Sequence, residues 1–146
     1  MASEDNFGLL LGETARIWRN RLDQRLRPLG LSQAKWQLLV QLHLAEDDLT
    51  QIELSSRLGI EGPTLVRLLD RMEEDGWVER RLSSSDRRAK TVHGTAKARA
   101  IMRDIRQIAG RLRAELLSGL SPQDLAVASA VLKQIKQRAE QNTDEH

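Results

Sequence analysis

Polar residues with the chemistry to read DNA bases recur at helical spacing in the middle of the chain. Thr64, Arg67 and Arg71 stand three and four residues apart, so they share one face of a helix that begins at Pro63. An arginine there can donate two hydrogen bonds to a guanine edge, and a threonine can contact a thymine methyl group. Because the major groove admits a single helix, we predict a recognition helix whose contact residues are Pro63, Thr64, Arg67 and Arg71.

A basic segment follows this helix directly. Residues 77–82 and 89–93 have strand composition, and residues 83–88 have turn chemistry, which together predict a β-hairpin. The long cations at its tip suit the narrow, negative minor groove. The predicted contact residues of the hairpin are Ser85, Asp86, Arg87, Arg88 and Lys90.

A simpler interpretation of these basic residues stays open. Arg67 and Arg71 could form ion pairs along an exposed helix, and residues 83–88 could be a solvated turn. The acidic neighbours within reach are Asp70, Glu74 and Asp75. The DNA interpretation is favoured because the basic residues are concentrated at both positions where this geometry needs them.

Apolar residues at helical spacing predict three helices before the recognition helix. The first ends at Gly30, the second begins at Ser32, and a capping box of Thr50 and Glu53 begins a short third helix that ends at Gly59. The residues of their apolar stripes are Leu11, Ala15, Trp18, Leu22, Leu26 and Leu29, then Trp36, Leu39, Val40 and His43, then Ile52, Leu54 and Leu58, of which the last three are predicted to be buried.

The recognition helix is the fourth, ending at Gly76, and two helices follow the hairpin. Thr95 caps the fifth, Ser121 begins the sixth, and the polar tail from residue 137 is expected to fray. Their apolar residues are Leu65, Leu68, Leu69 and Met72, then Ile101, Ile105, Ile108, Leu112 and Leu116, then Leu125, Ala128, Val131, Leu132 and Ile135. The expected fold is mainly α with a small β-hairpin wing, a winged helix-turn-helix.

Composition excludes several classes of function. The 146 residues suit one domain, and the absence of cysteine excludes disulfides and thiolate chemistry. No apolar run approaches the roughly 20 residues of a membrane span, and the acidic start lacks a signal-peptide pattern. We therefore expect a soluble cytoplasmic protein. In a bacterium, we expect this protein to be associated with the nucleoid. Residues 97–113 hold six basic residues against Asp104, which suggests a polyanionic partner.

Enzymatic chemistry finds little support. The histidines His43, His93 and His146 lack metal-ligand spacing, and no glycine-rich phosphate loop or nucleophile elbow occurs. We expect no catalytic residue, no metal site and no cofactor. A winged helix used for protein contacts is the alternative, but it would not need basic residues on both the helix and the hairpin.

Three segments resemble the MarR family of winged-helix transcriptional regulators. They are Leu-Ser-Gln-Ala-Lys-Trp at 31–36, Gly-Ile-Glu-Gly-Pro-Thr-Leu-Val-Arg at 59–67 and Ser-Asp-Arg-Arg-Ala-Lys at 85–90. The segments 16–19 and 25–29 are similar to its SlyA-like subgroup. The resemblance covers roughly residues 9–140.

This resemblance implies an obligate homodimer that binds palindromic promoter sites. Helices in 7–30 and 96–140 would form a dimerisation domain, and residues 31–95 would form the DNA-binding lobe. Within the hairpin, Asp86 would orient the wing arginine, Arg88 would enter the minor groove, and Lys90 would lie near phosphate. The unpartnered apolar stripes of the end helices independently suggest dimerisation.

Resemblance also implies a small aromatic carboxylate or phenolic effector that lowers DNA affinity. Trp18, Trp36 and His43 could wall its pocket, with Arg16 or Arg19 as the carboxylate partner. Both tryptophans could equally be core or interface residues.

Two glycines depart from the family pattern. The usual passage from wing to helix is Leu-Thr, whereas this chain has Gly94 followed by Thr95, so a core-facing leucine is missing. Gly62 replaces a residue that is often polar in the subgroup, which would remove one contact with a base or phosphate.

Overall fold

The computed structural model describes residues 6–83 and 89–143. Its helices are α1 (Phe7–Leu26), α2 (Gln33–Leu44), α3 (Gln51–Leu58), α4 (Gly62–Glu74), α5 (Ala96–Leu116) and α6 (Pro122–Thr143). Its strands are β1 (Leu49–Thr50), β2 (Val78–Leu82) and β3 (Lys90–Gly94), and a short 3₁₀ turn at Arg27–Leu29 follows α1. Within these ranges, no helix combines the length and apolar character needed to cross a membrane.

The three strands form one antiparallel sheet in the order β1-β3-β2. Val92 of β3 stands opposite Leu49 of β1 on one side and Arg80 of β2 on the other. Strand β1 was not predicted from the sequence, because two residues are too few to show an alternating pattern. The predicted hairpin is confirmed, with each strand beginning one residue later than expected.

The core lies among α2, α3, α4 and the sheet, and the end of α1 and the first half of α5 also contribute to it. All four apolar residues assigned to the inner face of the recognition helix are buried: Leu65, Leu68, Leu69 and Met72. Each such side chain contributes about 1.5–3 kcal/mol through burial, so this stripe fixes which side of α4 faces solvent. The predicted winged helix-turn-helix fold is confirmed.

Several predicted faces are wrong in detail. Ile52 is 83% exposed although it was assigned to the core. On the apolar stripe of α1, Leu11 and Ala15 are exposed in the single chain. Of the residues predicted for the apolar face of α2, His43 is exposed, whereas Leu38, which was not selected, is 0% exposed. Leu38 is buried because α2 packs against α3, α4 and β3 together, so that a face wider than a single stripe is covered.

The chain divides into two compact units, residues 1–112 and 113–146. The first contains α1 to α4, the sheet and most of α5. The second contains the end of α5 and α6, which is helical to Thr143 rather than frayed from residue 137. Leu125 is half-buried, and the other described side chains of α6 are exposed. The predicted assignment of 7–30 and 96–140 to dimerisation and 31–95 to DNA binding stays a prediction.

Candidate DNA-binding surface

The turn between α3 and α4 is built by local sequence signals. The Thr50 hydroxyl accepts a hydrogen bond from the Glu53 backbone N–H at 3.2 Å, which caps α3 as predicted. Gly59 ends the helix with φ of 66°, in the left-handed region. The Gly59 backbone N–H donates to the Ser56 carbonyl, and the Ile60 N–H donates to the Ser55 carbonyl. This pair of hydrogen bonds is the Schellman motif. This compact turn sets the position at which α4 begins.

Helix α4 presents the predicted contact residues to solvent. Pro63 lies in its first turn, and Thr64, Arg67 and Arg71 are exposed on the side opposite the buried stripe. The Arg67 guanidinium lies 3.5 Å from the Thr64 hydroxyl, so these two residues form one local group. The structure therefore brings all four predicted helix residues onto one exposed surface.

Two of the three acidic residues near this surface, Asp70 and Asp75, have other partners. Asp70 pairs with Arg80, and Asp75 pairs with Lys35 of α2 at 3.4 Å. Across the described ranges, neither Arg67 nor Arg71 forms an ion pair. The simpler interpretation, in which these arginines are neutralised by their own helix, is not the arrangement found.

Arg80 connects α4 to the hairpin. Its Nη2 atom lies 2.6 Å from the Asp70 carboxylate, and its Nε atom lies 3.2 Å from the Glu73 carboxylate. The Arg80 backbone N–H also donates to Glu73 at 3.1 Å. The hydrogen bond from the Arg80 side chain lowers the pKa of Glu73, and the bond with Glu73 in turn raises the pKa of Arg80. Arg80 is thus a structural link between helix and wing.

The hairpin extends from this link. The Ser83 backbone N–H donates to the Ala89 carbonyl at 2.8 Å, which continues the β2–β3 ladder, and Lys90 is exposed at the start of β3. Four predicted wing residues lie outside the described residues: Ser85, Asp86, Arg87 and Arg88. Their contacts with DNA stay predictions.

A groove of about 430 Å³ separates α4 from the hairpin. Val66 of α4 and Lys90 of β3 line it, together with the linked residues Asp70, Glu73 and Arg80. The exposed face of α4 and the described end of the wing are therefore neighbours in one surface.

The chain has counterparts among known proteins. The model of the MarR family matches residues 29–89. The transcriptional regulator PA3341 has 44% sequence identity and a TM-score of 0.86, and the match covers 92% of this chain and 98% of that protein.

The chain belongs to the MarR family.

Two further matches support this assignment of the fold. A mutant MarR from E. coli complexed with operator DNA has 29% identity and a TM-score of 0.74, covering 88% of this chain and 91% of its own. AbsC, a MarR family transcriptional regulator from Streptomyces coelicolor, shares the fold at 24% identity with a TM-score of 0.81, covering 96% of each chain. The MarR family is one of transcriptional regulators rather than enzymes.

In this MarR-family chain, the base of the wing is anchored to α5. The Lys97 ammonium donates to the Asp75 carbonyl at 2.7 Å and lies 4.0 Å from the centre of the Trp77 ring. The Thr95 hydroxyl donates to the Gly76 carbonyl at 2.6 Å and accepts from the Ala98 N–H, so it caps α5 as predicted. Lys97, counted with a basic stretch in the sequence, stabilises the C-terminal end of α4.

The residues predicted to form an effector pocket are not all found together. Trp36 is 5% exposed, and its indole N–H donates to Asp23 at 3.0 Å, so it is a core residue with its polar group satisfied. Trp18 is half-buried on α1, where Arg16 and Arg19 are exposed. Of these five residues, His43 lines the pocket between α2 and α5.

Sequence reasoning missed the role of Arg80. Asp70 and Glu73 stand three residues apart, so they share the side of α4 that faces the hairpin. That spacing, together with an arginine early in the following strand, could have predicted the ion pairs between Arg80 and α4.

Proposed function

We propose that this chain is a sequence-specific regulator that binds double-stranded DNA as a homodimer on palindromic promoter sites. The observation that carries the proposal is the exposed face of α4. Arg67 and Arg71 keep their charge available on that face, while the nearby acids Asp70 and Glu73 are held by Arg80. A surface built for solvation alone would not separate its charges in this way.

The arrangement suits two kinds of DNA contact. Helix α4 can place Thr64 and Arg67 against base edges in the major groove, where bidentate arginine contacts carry specificity. Lys90 can contact phosphate, and the arginines predicted for the wing tip can enter the minor groove. Each phosphate neutralised releases counterions, so affinity should fall steeply with salt.

Exposed apolar residues support the homodimer. Helix α1 leaves Phe7, Leu9, Leu10 and Ile17 exposed, and α6 leaves Val127, Val131, Leu132 and Ile135 exposed. Several exposed apolar residues along one helix are typical of an association site. A two-fold dimer would place two α4 helices about 34 Å apart, which matches one turn of DNA and requires a palindromic site.

The finer assignments are part of the same proposal. The arginine-rich segments at 16–19 and 25–29 support a SlyA-like subgroup, and a cytoplasmic regulator associated with the bacterial nucleoid fits the DNA-binding role. A small aromatic carboxylate or phenol would act as effector. It would lower DNA affinity by favouring a conformation that fits adjacent major grooves poorly, and DNA would weaken effector binding by the same factor.

The decisive experiment selects genomic fragments with the purified protein and then measures affinity by fluorescence anisotropy. We expect a palindromic consensus and a log–log salt slope of several units. Arg67→Ala should lower affinity at least about tenfold. The matched control is Lys133→Ala, which removes one positive charge from the exposed surface of α6 and should leave affinity unchanged.

A folded wild-type protein that selects no fragment would refute the proposal. That result would favour the alternative, a winged-helix module used for protein contacts.

A further inference from the structure

Helix α1 is held to the rest of residues 1–112 by its C-terminal turns. In residues 7–21 every side chain is exposed except the half-buried Trp18. Burial begins after that point, where Leu22 and Asp23 are half-buried and Leu26 is 0% exposed. The direction of the helix therefore depends on how its last two turns are fixed.

The backbone that follows α1 is stiff. Arg27–Leu29 form a 3₁₀ turn that contains Pro28, whose ring restricts φ. Gly30 comes next with φ of 76°, and its N–H donates to the Arg27 carbonyl at 2.9 Å. Leu31 is then buried in the same core as Leu26. The chain thus passes from α1 to α2 without a flexible linker.

A side-chain hydrogen bond crosses this junction. The Trp36 indole N–H of α2 donates to the Asp23 carboxylate of α1 at 3.0 Å. Trp36 is 5% exposed, so the surrounding core holds the indole in place and its N–H points in a fixed direction. Because α2 packs against α4, this bond connects α1 to the part of the core that carries the recognition helix.

The length of α1 amplifies any change at the junction. From Asp23 back to Phe7 the helix is about 24 Å long, at about 1.5 Å per residue. A rotation of about 10° at Asp23 would move the Phe7 end by about 4 Å, which is comparable with the rise of one base pair, about 3.4 Å. A protein that distinguishes half-site spacings of one base pair through α1 therefore needs this angle to be fixed.

We propose that Asp23 is a positioning residue that fixes the distance between the two α4 helices of a dimer and hence the half-site spacing in the operator. The proposal rests on the proposed function, in which exposed apolar residues of α1 join two copies. Asp23 acts through Trp36 and through the angle of α1, and it contributes no contact of its own to a base or a phosphate.

The first experiment measures the preference of the full-length protein for half-site spacing. Synthetic duplexes carry the selected consensus with its half-sites at the selected spacing, one base pair closer or one base pair farther apart. Wild type should lose affinity at least about tenfold at either altered spacing. Asp23→Ala removes the hydrogen-bond acceptor, so its loss should be below about threefold. Its affinity for an isolated half-site should equal that of wild type, because α4 is unchanged.

Three further variants separate the hydrogen bond from other effects of substitution. Asp23→Asn keeps an oxygen that can accept from the indole, so it should restore the spacing preference of wild type. Trp36→Phe keeps an aromatic ring but removes the donor, and it should behave as Asp23→Ala does. Asp104→Ala is the matched control, because it removes a carboxylate from an exposed position on α5 and should leave the preference unchanged.

Spin labels measure the distance between the two α4 helices without DNA. The chain has no cysteine, so Glu74→Cys provides a single labelling site at the exposed end of α4. Pulsed dipolar spectroscopy should give a narrow distance distribution when this label is placed in wild type or in Asp23→Asn. In Asp23→Ala the distribution should be at least about twice as wide, because several angles of α1 are then populated. A purely structural role would lower the thermal midpoint without changing this width.

The outcomes separate this proposal from the proposed function. Lost spacing preference and a wider distribution in Asp23→Ala, both restored in Asp23→Asn, support the positioning role. An Asp23→Ala protein that keeps the preference and the width of wild type overturns it, whatever its thermal midpoint. If the wild-type dimer selects no DNA fragment, the proposed DNA function is refuted, whereas a wider distribution in Asp23→Ala still supports the fixed distance and an unchanged one overturns it. A wild-type protein that is monomeric at every concentration overturns both.

Discussion

The Arg80 guanidinium on the first strand of the hairpin lies 2.6 Å from the Asp70 carboxylate on α4. Together with the bonds from Arg80 to Glu73, this contact joins the two elements expected to meet DNA. The Arg80 side chain is 17% exposed, so the pair is better shielded than an ordinary surface ion pair. These bonds link the wing to α4 without using any of the residues predicted to contact DNA.

Replacing Arg80 should weaken both stability and DNA binding. We expect Arg80→Ala to lower the free energy of unfolding by about 1 kcal/mol, a value reduced for the exposure of its acidic partners. DNA affinity should fall most on sites with A·T-rich flanks, because the wing loses its fixed orientation. Urea denaturation and anisotropy measure the two effects. Arg81→Ala is the control, since the exposed Arg81 pairs with Glu79 on its own strand. Equal effects from both variants would contradict the linking role.

Stability should depend on pH through Glu73. Its pKa is lower in the folded chain than its ordinary value of 4.5, chiefly because Arg80 donates a hydrogen bond to the carboxylate. The contribution is therefore complete above the unfolded pKa and is lost as pH falls through the folded pKa. Urea denaturation from neutral pH to below pH 4.5 should show a smaller acid-induced loss in Glu73→Gln than in wild type. Glu74→Gln, on the adjacent exposed residue, should behave as wild type.

Arg67 and Arg88 should contribute to DNA recognition in different ways. Arg67→Ala should cost about 1–3 kcal/mol of binding free energy and relax preference at one base pair in each half-site. Arg67→Lys keeps the charge but loses the bidentate contact, so specificity should fall more than overall affinity. Arg88→Ala should weaken binding most where the flanks are A·T-rich. Anisotropy on single-base operator variants distinguishes these patterns. Two folded variants that bind every site as wild type does would refute the assigned roles.

The exposed apolar face of α6 should be required for dimerisation. Val131→Asp places a charge among residues that would be buried between two copies, so the dimer should dissociate into monomers. Lys133→Asp is the control, because Lys133 lies on a different side of the same helix and is exposed. Light scattering over a range of protein concentrations gives the molecular mass. A Val131→Asp protein that remains dimeric at low concentration would show that α6 does not form the interface.

Local patterns in the sequence were sufficient to predict the existence of α4, the caps of α3 and the two strands of the hairpin. Burial of the four apolar residues on the inner face of α4 could be predicted, because helical periodicity depends only on neighbours along the chain. Gly59 could be predicted to end α3, because a left-handed cap favours glycine. The exposed positions of Thr64, Arg67 and Arg71 follow from the same periodicity. The resemblance to the MarR family noted from the sequence rested on motifs that are equally local.

Tertiary structure decided the features that depend on residues distant in the chain. Strand β1 exists because Leu49 and Thr50 find partners in β3, and Ile52 is exposed because no element covers its side of α3 among the described residues. The charge pattern showed Arg80 as one more basic residue, but two carboxylates across the α4–β2 packing make it a structural link. In the sequence, Gly94 stands at a position where the family usually has a leucine. The packing of α2 and α5 around it turns that missing side chain into a pocket, because an apolar void takes its shape from all the elements that surround it.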